Sequence, residues 1–193
     1  MATTAVNKVT YGLSNVHVWP ITSTDTTGKP TYGTMIPISG AVEISLSPEG
    51  SSDPFYADDG IYFQSSTNAG YSGDLTIADI PTDFLVNVMK EEKDANGVLF
   101  ENSDVVPNEF AIGFEFKGDV NKRRHIFYRC VAKRPEISSK TKEDKIDPNT
   151  PKLSITCLPR IDTKVVKASC EENDKGYASF FSTAPYEKET STT

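Results

Sequence analysis

No stretch of this 193-residue chain approaches the roughly 18 apolar residues that a bilayer-spanning helix needs, and the opening MATTAVNKVT lacks the apolar centre of a signal peptide. A soluble protein made in the cytoplasm is the expectation. Leucine is scarce: 7 Leu stand against 14 Val and 13 Ile, alongside 18 Ser and 20 Thr. β-Branched side chains lose rotamers in a helix and pack well on a pleated surface, so an all-helical fold is excluded. The three cysteines, Cys130, Cys157 and Cys170, are odd in number and irregular in spacing, which argues against a disulfide framework and for a reducing compartment.

Catalytic signatures are equally sparse. The two histidines, His17 and His125, have no Cys or carboxylate at metal-ligand spacing, and each reads as a strand residue with a satisfied hydrogen bond. CxxC, HExxH and a phosphate-binding glycine loop are all missing. The string Gly70-Tyr-Ser-Gly-Asp74 matches a nucleophile elbow for four residues, but it lacks the final glycine and lies on a strand without the required helix after it. Asp53, Asp58 and Asp59 offer too few oxygens for Ca²⁺, and Asp58-Asp59-Gly60 reads as a tight acidic turn. The chain is therefore expected not to be an enzyme and to use no metal or cofactor.

Positive charge is also in deficit. A net charge of −7 argues against sequence-specific duplex binding, which needs a basic patch to replace the counterions on the phosphates. The distribution says more than the sum. Residues 41–116 hold fifteen acids and two bases, whereas residues 117–170 hold fourteen bases and six acids. Either the two halves neutralise each other inside one fold, or the protein has complementary faces through which copies meet head to tail.

What is present is a period of two. The length fits one domain, with short arms at residues 1–8 and 171–193 around a core at 9–170. Val16, Val18 and Ile21 lead into the turn signal Asp25-Thr-Thr-Gly-Lys-Pro30, and Tyr32 to Ile38 returns, a hairpin pattern. Val42, Ile44 and Leu46 alternate with Ala41, Glu43, Ser45 and Ser47; Leu75 and Ile77 with Asp74, Thr76 and Ala78. Phe110, Ile112, Phe114 and Phe116 alternate with Ala111, Gly113 and Glu115, and Leu153, Ile155 and Cys157 with Ser154 and Thr156. These are half-buried strands of antiparallel sheets. Arg124 to Ala132 reads as the hairpin partner of strand 109–117, across the turn Lys117-Gly-Asp-Val-Asn121. One helix is predicted at about 82–91, where Thr82 or a neighbour caps, Asp83 suits the positive end of the dipole, and Phe84, Leu85, Val88 and Met89 form a stripe.

Two segments are aromatic without being core-like. Residues 47–70 are polar and glycine-punctuated, yet carry Phe55, Tyr56, Ile61, Tyr62 and Phe63, which reads as a projecting hairpin that touches a partner. The C-terminal arm carries Tyr177, Phe180, Phe181 and Tyr186, more aromatics than a free tail keeps, so it is expected to dock on something.

The strings themselves resemble a known family. Tyr11-Gly-Leu-x-Asn-Val-His17, Pro37-Ile-Ser-Gly-Ala-Val42, Ser47-Pro-Glu-Gly50 and Pro54-Phe-Tyr-Ala-Asp-Asp-Gly60 come first. Gly70-Tyr-Ser-Gly-Asp-Leu-Thr-Ile77, Ile80-Pro81, Phe110 to Gly118 and Arg124-His-Ile-Phe-Tyr-Arg-Cys-Val-Ala-Lys-Arg-Pro135 follow. Thr141-Lys-Glu-Asp144 then leads to Leu153-x-Ile-Thr-x-x-Pro-Arg160. In this order, over about residues 6–186, the pattern resembles the major tail proteins of long-tailed, non-contractile phages and prophages of low-GC Gram-positive bacteria. The resemblance implies a mainly β protein, a β-sandwich of two packed antiparallel sheets with one flanking α-helix, assembled in the virion tail as stacked hexameric rings. Its implied partners are copies of itself, a tape measure protein, and tail terminator and tail tip proteins; DNA passes through the tube without specific binding, and no membrane is involved. On this reading Phe55, Tyr56, Asp58, Asp59, Ile61, Tyr62 and Phe63 make subunit or ring-to-ring contacts. Tyr177, Phe180, Phe181 and Tyr186 dock the arm, and Glu43, Asp74 and Glu115 on the polar strand faces line a DNA-repelling lumen. A tube protein of a contractile tail or injection machine, and a monomeric β-sandwich that binds carbohydrate or a cell surface with its exposed aromatics, remain the alternatives.

Overall fold

A computed structural model describes residues 9–139, 141 and 150–189; the N-terminal arm at 1–8 and the motif residues 142–144 lie outside the described residues. The chain is mainly β. Its strands are β1 (Leu13–Thr24), β2 (Pro30–Tyr32), β3 (Ile36–Pro37), β4 (Ala41–Glu49), β5 (Ser52–Ala57), β6 (Gly60–Ser66), β7 (Gly70–Ile77), β8 (Glu92–Lys93), β9 (Leu99–Phe100), β10 (Phe110–Phe116), β11 (Arg124–Ala132), β12 (Lys152–Cys157) and β13 (Lys167–Cys170). Two short helices are α1 (Thr82–Asn87) and α2 (Tyr177–Phe180).

Nine strands form one antiparallel sheet in the order β2-β1-β10-β11-β12-β7-β4, with β3 also beside β1 and β13 also beside β11. The division falls at β11. Arg124 to Phe127 pair with β13, whereas Cys130 to Ala132 pair with β12, so one long strand serves two halves of the sheet. Both halves feed one apolar core: Val16, Val18, Ile112 and Phe114 from one, Leu75, Ile77, Leu153 and Ile155 from the other. This is the sandwich arrangement, two layers meeting through their alternating inward residues.

The alternation read from the sequence holds along β7 and β12, whose apolar positions are buried; on β10 Phe110, Ile112 and Phe114 are buried and Phe116 is half-buried, while Ala111 and Gly113 on the other face are buried as well. On β4 it slips. The register shifts between Ala41 and Glu43, so Val42 is the bulged residue and is exposed, and Ala41 takes its place against the core. α1 is also shorter than predicted. Its N-cap is Pro81 rather than a side-chain cap at Thr82, and the helix ends at Asn87 because Lys90 turns to φ 64°. Val88 and Met89 still reach the core through N–H bonds to the Phe84 carbonyl, so the apolar stripe outlasts the helix. No helix among the described residues is long and apolar enough to cross a membrane.

Candidate assembly surfaces

The β4–β7 ribbon does not stop where the sheet stops. Ala69 N–H donates to the Glu49 carbonyl at 2.8 Å and Thr67 N–H to the Ser51 carbonyl at 2.9 Å, so the ladder runs on into the β5–β6 hairpin. The hairpin closes at Asp58 and Asp59, both left-handed at φ 50° and 60°, followed by Gly60. Two successive positive φ values match the twist of the flanking strands, and the short polar Asp side chain tolerates that region. Among the described residues nothing covers the result. Phe55, Tyr56, Ile61, Tyr62 and Phe63 are 58–75% exposed, and no hairpin residue belongs to either apolar cluster.

The C-terminal segment has the opposite fate. The outer face of β1, β10 and β11 carries Trp19, Ala111, Ile126 and Tyr128, and Phe180 is buried on it with Tyr177, Phe181 and Tyr186 packed around. Backbone carbonyls anchor the segment: Trp19 Nε1–H donates to Ser182 at 3.2 Å, the Tyr128 hydroxyl to Tyr186 at 2.6 Å, and Arg124 Nη1 to Tyr177 at 2.8 Å. Arg124 also lies 3.9 Å above the Tyr177 ring. The four aromatics expected to dock therefore dock on this chain's own sheet.

Two groups under that segment do more than the sequence indicated: Arg160, and His17, a strand residue as read but with only one of its two ring nitrogens satisfied. Arg160 is buried and forks onto Asp162 with bonds of 2.9 and 2.6 Å, while its Nη1 holds Glu187 at 2.8 Å. The Arg160 fork holds the Asp162 carboxyl down at about 2. His17 stands between Trp19 and Phe181 in edge contacts, with Nδ1–H donating to the Asn15 carbonyl at 2.7 Å. Burial pushes its pKa down to about 4, and its Nε2 has no partner. That nitrogen faces Gly113, where a Cβ would lie 2.7 Å from it and 3.0 Å from the Phe181 and Trp19 rings. The only available signal was that His17, Trp19 and Gly113 share one face by strand parity; Arg160 gave none beyond its place in a Pro-Arg pair.

The three acidic residues assigned to one wall do not share a surface. Glu43 and Asp74 sit on the outer face of β4, β7 and β12, in a grid whose register rows are Glu43–Thr76–Lys152, Ser45–Asp74–Ser154 and Ser47–Ser72–Thr156. Ser154 donates to Asp74 at 2.7 Å. Glu115 is elsewhere: it pairs with Arg124 at 3.3 Å, half-buried beneath the C-terminal segment. Side-chain alternation gave its face correctly but not what covers that face.

Charge asymmetry resolves into two parts. Glu101, Glu109 and Glu115 of the acidic half pair with Arg134, Arg129 and Arg124 of the basic half, so the halves do neutralise each other in part. By contrast, among the described residues Asp53, Asp58 and Asp59 on the hairpin have no ion-pair partner, and neither do the exposed Lys117, Lys133, Lys152 and Lys164. No group of three or more His, Cys, Asp and Glu among the described residues could hold a metal ion. The fold and surfaces define a mainly β protein of sandwich type with an uncovered aromatic hairpin. No family model matches the chain, and no curated protein matches it.

Proposed function

We propose that this chain is a structural subunit that polymerises, a tail tube protein of a long-tailed phage or prophage, building stacked hexameric rings around a tape measure protein and later conducting DNA. The observation that carries the reading is the uncovered hairpin, which holds five large apolar side chains in water on a ribbon that cannot bury them itself. Unpaired acids on the hairpin and unpaired lysines on the basic half suit contacts between copies. The ordered motif strings described above support the particular family.

The lumen assignment narrows to Glu43 and Asp74. Their face is mostly small, hydroxylated and acidic, with Lys152 at the end of the Glu43 row as its one base, and its open position suits a channel wall. Glu115, already paired with Arg124, has no part in it. Electron microscopy of the purified protein at high concentration tests the reading: rings or tubes are expected. A species that stays monomeric at millimolar concentration and low salt overturns it. Within tubes, replacing Glu43 and Asp74 with Lys should permit assembly yet retard DNA passage, with salt relieving the block.

A further inference from the structure

We infer that Cys130 and Cys157 are a latent disulfide, a core dithiol that a small peroxide closes into a staple between β11 and β12. The two residues are register partners on these neighbouring strands. Leu158 N–H donates to the Arg129 carbonyl at 2.7 Å and Lys133 N–H to the Ser154 carbonyl at 2.9 Å, so the ladder bonds fall outside the cysteine pair. That spacing makes it a non-hydrogen-bonded pair, in which the Cα atoms stand about 4.5 Å apart and the side chains lie closest. A disulfide spans Cα separations of about 4.4 to 6.8 Å, so neither strand has to move. The two sulfurs are already 3.1 Å apart. Bond formation asks only for side-chain rotations that close about 1 Å.

Both side chains are fully buried in the apolar core, and both are free thiols. Burial first, and Cys157 beside it second, push the Cys130 thiol up, so the attacking thiolate is scarce while the core is closed. Reaction therefore waits on opening of the β11–β12 ladder. That ladder has the pairs Cys130–Cys157, Val131–Thr156 and Ala132–Ile155, and is shorter than the one that holds β12 to β7. Once it opens, one thiolate attacks the peroxide O–O bond and leaves a sulfenic acid and water; the second thiol then displaces the sulfenic oxygen as water, and the S–S bond forms. Two electrons pass from the two sulfurs to the peroxide, and both thiol protons end in the two waters. Cys170 takes no part, because it pairs with Arg124 across β13 and β11 and belongs to the other apolar cluster.

The test treats the purified chain with hydrogen peroxide, blocks remaining thiols with iodoacetamide and maps tryptic peptides without reductant. One link within the chain is expected, between peptides 130–133 and 153–160, with the Cys170 peptide 168–175 unlinked. Urea below the unfolding midpoint should speed the link, since opening limits it. The cysteines are 27 residues apart in the chain, and closing a loop of that size should raise the folding equilibrium about tenfold or more in denaturant unfolding. Dithiothreitol should abolish the gain, and Cys157→Ala should show neither link nor gain. The staple is overturned by a link through Cys170, by a link between chains, or by sulfinic acid at position 130 or 157 in place of the link. No link at any urea concentration short of unfolding, a linked chain no more stable than the reduced one, or an equal gain in Cys157→Ala overturns it as well.

Discussion

The β5–β6 hairpin and the C-terminal segment are alike in sequence and opposite in circumstance. Each is polar and punctuated, with four or five large aromatic or apolar side chains. The C-terminal segment lies back across Trp19, Ala111, Ile126 and Tyr128, an apolar face that β1, β10 and β11 leave open. The hairpin continues the β4–β7 ribbon past the end of the sheet, where no face of its own chain awaits it. Aromatic content in a polar segment thus announces a need for cover. Whether the chain itself supplies that cover depends on where the segment leaves the fold.

The largest expected effect is at Phe180. Phe180→Ala empties a buried site and should destabilise the monomer by about 3 to 4 kcal/mol in denaturant unfolding. A loss below about 0.5 kcal/mol, the scale of an ordinary surface change, would mean that the segment is not part of the core. Arg160→Ala comes next. It leaves Asp162 and Glu187 without their cation, and because both carboxylates reach water the cost should be about 1 to 2 kcal/mol. Amide exchange should rise at Tyr177, Phe180 and Tyr186 in this variant while the β7 and β12 amides stay protected; uniform loosening would argue against a local clamp.

Acid should act on the same segment in two windows. Burial holds the folded His17 pKa at about 4, below the ordinary imidazole value of 6.5, so its contribution is complete above pH 6.5 and is lost as pH falls toward 4. Asp162 sits at about 2 against 3.8, so its share is complete above 3.8 and fades as pH falls toward 2. The denaturant midpoint should therefore drop first between pH 6.5 and 4. His17→Asn, which keeps a donor for the Asn15 carbonyl, should shrink that first drop and leave the second, the remainder belonging to His125, whose pKa burial also lowers. An undiminished first drop in the variant would take His17 out of it.

The smallest effect on the monomer is expected at the hairpin. Phe55→Ser with Tyr56→Ser should change unfolding by no more than about 0.5 kcal/mol, since both side chains are already in water. A large loss would place the hairpin in the fold and erase the contrast with Phe180.

Much of the architecture was legible because a strand's period of two survives in the sequence. Phe110, Ile112 and Phe114 alternate with Ala111, Gly113 and Glu115, and that pattern gives a strand and its core face, but not that the C-terminal segment buries Ala111 and Gly113 on the other face as well. Val42 defeats the rule because a bulge adds a residue without any sequence mark of its own. The helix prediction overran for a similar reason: Phe84, Val88 and Met89 mark the buried stripe, which continues through a turn that is no longer helical. The hairpin tip was readable from Asp58-Asp59-Gly60, since turn chemistry is local.

The sequence by itself determined the strand faces, the tight acidic turn and the presence of two aromatic segments, because these depend on residues within a few positions of one another. Only the tertiary structure decided that β11 joins both halves of the sheet and that Glu115 is spent on Arg124. It also decided that Gly113 is small because His17, Trp19 and Phe181 crowd it, and that one aromatic segment finds cover while the other projects bare. Each of those outcomes depends on which distant surfaces meet, and pairing over long sequence separations leaves no periodic trace in the chain.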